Sequence, residues 1–519
     1  MQKNNIFEMS KGGKSEYCVN VVKIGTLKPI EGSDFLAQTF IGDASVVVRK
    51  DQVKEGDILF YASNECQLNE KFLSVNNLFE VGCYEKNANA DEVNKLSAKI
   101  KECEEKIKTK FSTTEDSAEL AEIYAERDNY KAQLKSMCGF FNHNGRVRMI
   151  RLKKTPSMGY LFSLDEMVKY CPKAKGVNME DYLNVDFDTV DGELFVKAYM
   201  PPIRGRQNNV KNGNKRDKKL KRFDRMIEGE FSFHYDTSQL GKNMWQFNPD
   251  DIVTISCKIH GTSVICANIK VKNPIHLPFY QRWYNNFVDN FECLKKYRIT
   301  DFVEEYDNIY SSRSVIKNQF INENGNENGY YKFDIWNEAN EILKPFITDG
   351  MTVYGEICGY ADNSPIQGGY DYGCKPGEFF IMPYRIVTNK DGKKTEWEVV
   401  DVHDWTKNII TEHPELANKI RPIQILYHGT LSNLYPDVKL DEHWHENILL
   451  KMMNDKEHFG MEELEPLCKN KCYREGIVIR KYKDPLAQAF KLKCKNFLMK
   501  EASLYDKGEV DIEAQQEYT

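Results

Sequence analysis

The sequence predicts an α+β protein in which a small β-rich region carrying a helical insertion precedes a larger region of mixed strands and helices. Three observations carry this. Short Val- and Ile-rich runs punctuated by Gly and Asp fill residues 17–80. Two long helical patterns follow within 90–137. From about residue 222 onward, strand-like runs such as "DIVTISCKI", "TSVICANIKV", "MTVYGEICGY", "EFFIMPYRIV" and "EGIVIRKY" are separated by helical ones such as "IWNEANEILKPFI". They show neither the regular βαβ alternation nor the Gly-rich phosphate loop of a doubly wound fold.

A chain of 519 residues exceeds what one hydrophobic core organises, so two or three domains are expected. The front runs "YCVNVVKIGTLKPI", "DFLAQTFIGDASVVVRK" and "GDILFYAS" read as a small β-barrel or sandwich. Next, "DEVNKLSAKIKECEEKIKTKF" and "DSAELAEIYAERDNYKAQLKSM", joined by "STTE", set Leu96, Ile100, Ile107, Leu120, Ile123, Tyr130 and Leu134 at near-heptad spacing. That spacing predicts a helical hairpin packed on itself. β-type sequence resumes at "GRVRMIRLKKTP", so the hairpin reads as an insertion into a first domain of residues 1–165. Residues 166–225 read as a linker, 226–505 as the second domain and 506–519 as a tail.

Composition narrows the class. With 41% hydrophobic and 29% charged residues the chain is ordinary globular protein. No run of about 18 apolar residues occurs and the start, "MQKNNIFEMS", has no apolar core, so a cytoplasmic location without membrane contact is expected. The fourteen cysteines are scattered and form no CxxC, which reads as free thiols. Cys468 and Cys472 lack a second pair for zinc, and His443 and His445 point to different faces of a helix. A net charge of -6 argues against a general nucleic-acid binder, but Arg204 to Arg225 carries ten Lys or Arg against two Asp. That run reads equally as a solvated linker or a phosphate-contacting segment.

One stretch raises a chemical question. "ISCKIHGTSV" places Lys258 in a run that otherwise reads as a buried strand. A second "HGT", at His428 to Thr430, has Leu426 at the corresponding position and offers no amine. A lysine amine among apolar residues is costly unless paired or used, and burial favours its neutral, nucleophilic form. Gly261 would let the backbone approach a ligand. Further on stand Glu356 in "YGE", Tyr384 in "FFIMPYRI", Glu475 in "YREGIVIRKY", and Lys491 and Lys493 in "AFKLKCKNF", two apart and so on one face of a strand.

In this order, with "YSSRSVIKN" following the first, these elements resemble those of the covalent nucleotidyltransferases, the ligases and capping enzymes, over residues 226–500. His260 in "KIHG", where DNA ligases and capping enzymes usually carry aspartate, is similar to the RNA ligase branch. The β-rich domain stands at the front, and only about twenty residues follow the last element, too few for a C-terminal OB domain. This arrangement resembles the Deinococcus-type RNA ligases, which have an N-terminal OB-like domain. The hairpin and basic linker are additions to that plan, and Tyr384 stands where phenylalanine is often found.

The resemblance implies a nucleotidyltransferase (adenylation) domain of antiparallel sheets with helices, preceded by an OB-like nucleic-acid-binding barrel. It implies an ATP-dependent RNA ligase that joins 3'-hydroxyl and 5'-phosphate ends through lysyl-AMP, with Mg²⁺ or Mn²⁺. Its partner is RNA with nicked or broken strands, or an RNA/DNA hybrid, in a repair setting that would suit a virus or phage. By the same resemblance Lys258 is the nucleophile, Lys491 and Lys493 hold the α-phosphate, and Glu356 holds the ribose hydroxyls. Glu475 holds the metal or the Lys258 amine, Arg313 the phosphate or ribose, and Tyr384 stacks on adenine. The alternatives are a capping guanylyltransferase, which would take label from GTP, and a nucleic-acid-binding protein with an inactive ligase domain, which would take none.

Overall fold

Along Val253–Lys258 apolar and polar residues alternate, Val253, Ile255 and Cys257 against Thr254, Ser256 and Lys258, and this period of two decides how the second half of the chain is built. The computed structural model describes residues 6–13, 15–111, 117–200, 223–234, 237–321, 334–483 and 485–506. The chain divides into two units, Met1–Pro202 and Ile203–Thr519.

In the first unit, β1 (Val19–Lys23), β2 (Leu36–Ile41), β3 (Ala44–Arg49) and β4 (Ile58–Ala62) arise from the front runs. Helices α1 (Ala90–Phe111) and α2 (Ser117–Met137) form the hairpin, and β5 (Tyr160–Phe162) and β6 (Asp186–Phe187) close a four-stranded sheet of order β5-β4-β1-β6. Its core is aromatic, with Phe7, Phe60, Phe72, Phe162, Phe187 and Phe195 all buried. At the hairpin's base Val93, Leu96, Ile100 and Leu134 are buried. Ile107, Leu120 and Ile123 are only half-buried, so the seam opens toward the tip.

The linker expected from residue 166 is corrected in its first part. Asp186–Phe187 pairs with β1, and Val196–Ala198 pairs with Cys66–Leu68, so this stretch belongs to the first unit. Strands of two or three residues are too short to show a period. The basic run lies outside the described residues up to Arg222. Its last member, Arg225, is buried and paired with Asp307, so this guanidinium belongs to the fold.

The second unit is built mainly on two sheets joined by one turn, with a further two-stranded pair of Phe223–Asp224 and Phe320–Ile321. The first comprises β7 (Ser238–Gln239), β8 (Ile252–Lys258), β14 (Ile425–Thr430), β15 (Gly476–Lys483) and β16 (Leu486–Lys493), in the order β7-β16-β15-β8-β14; only β7 runs parallel to its neighbour. The second contains β9 (Thr262–Pro274), β10 (Phe302–Ser311), β11 (Met351–Ala361), β12 (Phe379–Lys390) and β13 (Lys393–Glu396), in the order β10-β9-β11-β12-β13, with Ser364–Pro365 on the end of β11. Helix α3 (Ile335–Leu343) covers one face of this sheet, packing Ile335, Trp336, Ala339 and Leu343 on Val264, Cys266, Val353, Ile357 and Ile386. The other face meets the first sheet, where the Arg480 guanidinium lies 5.8 Å from the Tyr384 ring and donates to Ser256 Oγ at 3.0 Å.

The architecture is thus α+β with antiparallel sheets, the class the sequence predicts. No helix among the described residues is long and apolar enough to cross a membrane.

Candidate functional site

The turn between the two sheets is Ile259-His260-Gly261, and Lys258 is the last residue of β8 before it. Lys258 belongs to the polar row of its strand, with Thr254 and Ser256, so its side chain leaves the sheet on the side opposite Val253, Ile255 and Cys257. Its Nζ lies 2.7 Å from Glu475 Oε1, and 25% of the side chain is exposed. The amine is therefore paired and partly open, which corrects the expectation of an apolar surrounding.

Register brings the other lysine in. Lys258 pairs with Gly476, and Gly476 pairs on its other side with Lys493, so the two lysines flank one glycine across three strands. Gly476 has φ +146, and a Cβ there would lie 2.1 Å from Leu492 O. Glu475, the residue before it, is only 3% exposed and sits between the amines, with Lys493 Nζ at 3.6 Å from the same Oε1. The His260 ring stands 3.8 Å from Oε2. Burial alone would push this carboxyl up, but Lys258, Lys493 and His260 outweigh it and hold it down to about 2. Lys493 is shared with Glu501 at 3.3 Å, on α4 (Lys495–Asp506). Lys491 lies two residues along the same face, opposite Val478.

The second sheet contributes Glu356. It pairs with Ser263 and its Oε1 accepts the Gly261 N–H at 3.0 Å. A Cβ on Gly261 would meet Ile357 O at 2.3 Å and Glu356 Cγ at 2.8 Å, so only glycine lets β11 approach the turn this closely. Gly261→Ala is expected to displace the turn, lowering the thermal midpoint by an amount equivalent to about 1–3 kcal/mol. Calorimetry of the purified variant reads this directly, and an unchanged midpoint would contradict the close approach.

Arg313 lies in the turn after β10, beyond the last pair of that strand, Ser311 with Ile265; there Ser311 bridges back to Ile316 and the Ser312 N–H donates to Val315 O, so strand register does not bring Arg313 to Glu356. Tyr384 falls at a bulge, because Tyr354 pairs with Arg385 and Gly355 with Pro383, leaving Tyr384 without an opposite residue. Its ring packs with Ile265, Tyr354 and Val387 and meets His234 edge-on at 5.7 Å. The apolar residue directly opposite Glu356 is Met382, which sequence reasoning passed over. Also missed were Gln367 and Tyr372, both bonded to the turn, and Tyr370 and Phe497, whose rings each stand 5.1 Å from His260. The unusual Gly- and Tyr-rich "QGGYDYG" was the available signal.

No group of three His, Cys, Asp or Glu that could hold a metal occurs among the described residues, which excludes a cage built wholly from their side chains. Glu475 Oε2, by contrast, is buried with no hydrogen-bond partner. One carboxylate oxygen without a hydrogen-bond partner would suit Mg²⁺ or Mn²⁺ arriving with phosphates and water, since Mg²⁺ takes few protein ligands. All fourteen cysteines are free thiols.

No family model and no curated protein matches the chain. Solved structures do match. A Naegleria gruberi RNA ligase variant with ATP and Mn is 14% identical, with 93% of this chain and 98% of that one covered and a TM-score of 0.46. A second variant, with AMP and Mn, is 14% identical over 94% and 99%, at a TM-score of 0.47. The same ligase with pyrophosphate is 12% identical over 94% and 99%, at 0.44.

Proposed function

We propose that this protein is an ATP-dependent RNA ligase that seals 3'-hydroxyl and 5'-phosphate ends. The observation that carries the reading is the row Lys258, Gly476 and Lys493 with one buried carboxylate, Glu475, between the amines, and Glu356 brought to the same turn by Gly261. The Lys258 and Lys493 amines meet at one buried carboxylate, with Lys491 on the same strand face as Lys493, and such a cluster of amines suits a phosphate chain.

Lys258 Nζ attacks the α-phosphorus of ATP; the N–P bond forms as the bond to pyrophosphate breaks, and the amine's proton leaves to solvent along the exposed part of the side chain. Glu475 Oε1 stands 2.7 Å from that amine, its buried carboxylate held in place between Lys258 and Lys493. Its part is to aim the amine. Lys491 and Lys493 neutralise the α-phosphate, Glu356 takes the ribose hydroxyls, Arg313 a phosphate or the ribose, and Tyr384 with Met382 forms the adenine platform. Glu475, through its unbonded Oε2, would hold a divalent ion, which would supply neutralisation of phosphate charge. The AMP then passes to a 5'-phosphate, and a 3'-hydroxyl displaces it to form the phosphodiester. The first unit supplies an OB-like nucleic-acid surface.

With α-labelled ATP and Mg²⁺, label is expected to stay on the denatured protein and to be released by acid, which cleaves a phosphoramidate. Absence of label, or labelling by GTP alone, would defeat the reading. Nicked duplexes of all-RNA, all-DNA and mixed composition then identify the polynucleotide.

A further inference from the structure

The turn Ile259-His260-Gly261 leaves one sheet and enters the other, so its peptide groups need partners from elsewhere. Two come from the segment after β11. Gln367, buried, donates from Nε2 to Gly261 O at 2.8 Å. Tyr372, also buried, accepts the His260 N–H on its hydroxyl at 2.7 Å. Between them these side chains hold two separate peptide groups of the turn, Ile259–His260 and Gly261–Thr262.

Tyr372 does this from an unfavourable backbone. Its φ is +47, in the left-handed region, which a bulky aromatic rarely adopts. Burying a tyrosine ring does not require that. Several contacts impose it: the Tyr372 N–H donates to Cys468 Sγ at 3.4 Å, and its carbonyl accepts from Arg421 Nη1 at 3.0 Å. Beside it Asp371 Oδ1 accepts the N–H groups of Gly373 at 2.8 Å and Lys469 at 3.0 Å. Tyr370 braces the same place from the other side, its hydroxyl donating to Tyr473 O at 2.8 Å, two residues before Glu475. The segment therefore ties the nucleophile's turn to the strand that presents Glu475.

We propose that Tyr372 is a positioning residue for nucleotidyl transfer: its hydroxyl fixes the His260 peptide and through it the direction in which Lys258 Nζ points. The inference rests on the function proposed above. An amine misplaced by a fraction of an ångström still binds nucleotide but reaches phosphorus off the line of attack.

Tyr372→Phe removes the acceptor and keeps the ring. At saturating ATP in single turnover, it is expected to slow Lys258 labelling by about tenfold or more. KM for ATP should stay within about twofold, since ground-state binding is untouched. Gln367→Leu should act in the same direction, and the double variant should lose less than the product of the two, because both act on one turn. Should Tyr372→Phe fail to fold, Gln367→Leu carries the same test. Labelling of folded Tyr372→Phe at the wild-type rate, or a loss wholly explained by a smaller folded fraction, overturns the inference and leaves the function standing. A wild-type protein that takes no label removes both.

Discussion

Lys258→Ala is expected to take no label from α-labelled ATP, a loss of about a thousandfold or more to background. The nearest other amine, Lys493 Nζ, is held by Glu475 and by Glu501 at 3.3 Å and lies two strands away, so it does not stand in. Alanine alone would confound two losses, since it also deprives Glu475 of its 2.7 Å partner. Lys258→Arg separates them. The guanidinium keeps a charge beside the buried carboxylate but stays protonated and does not attack phosphorus. The arginine variant should therefore melt near the wild-type midpoint and still take no label. Label that survives either substitution would place the nucleophile elsewhere.

Glu475→Gln should cost both stability and rate. The carboxylate is 3% exposed and faces Lys258 and Lys493; since Lys493 keeps Glu501, its neutral isostere deprives Lys258 above all of its counter-charge. Breaking such a pair costs on the order of 3 kcal/mol. The pH dependence gives an independent reading. The folded Glu475 carboxyl is held down to about 2 from an ordinary 4.5, so its contribution is fully present above about pH 4.5 and fades as pH falls toward 2. In thermal scans from pH 7 to 3, the second unit of the wild type should lose midpoint over the acid part of this range. The glutamine variant starts lower and lacks that component of the slope. Transfer should fall about a hundredfold as Lys258 loses its aim. A glutamine variant with the wild-type midpoint at pH 7 would show that the carboxylate is not the anchor described.

Much of this site could be read in the chain. Lys258 drew attention as a charge in an apolar run, and the alternation around it, Thr254 and Ser256 against Val253, Ile255 and Cys257, already separates a polar face from a core face. Lys491 and Lys493 share a face because strand side chains repeat every two residues, which holds in any fold. Arg225 shows the reverse: a residue in a basic run reads as solvated until its partner, Asp307, is known. Tyr384 reads from the sequence as an aromatic in a strand, but its bulge depends on the offset between β11 and β12, which neither strand encodes alone.

Local periodicity, glycine placement and charge pattern are properties of neighbours in the chain, and they were enough to specify the α+β class and the helical hairpin and to single out Lys258, Lys491 and Lys493 as candidates. Which lysine stands beside which acid is set by pairing over separations of more than two hundred residues, as between Lys258 and Gly476. That pairing, and the grip of Gln367 and Tyr372 on the turn, exist only once two sheets have buried their apolar faces and each peptide group in between has had to find a partner.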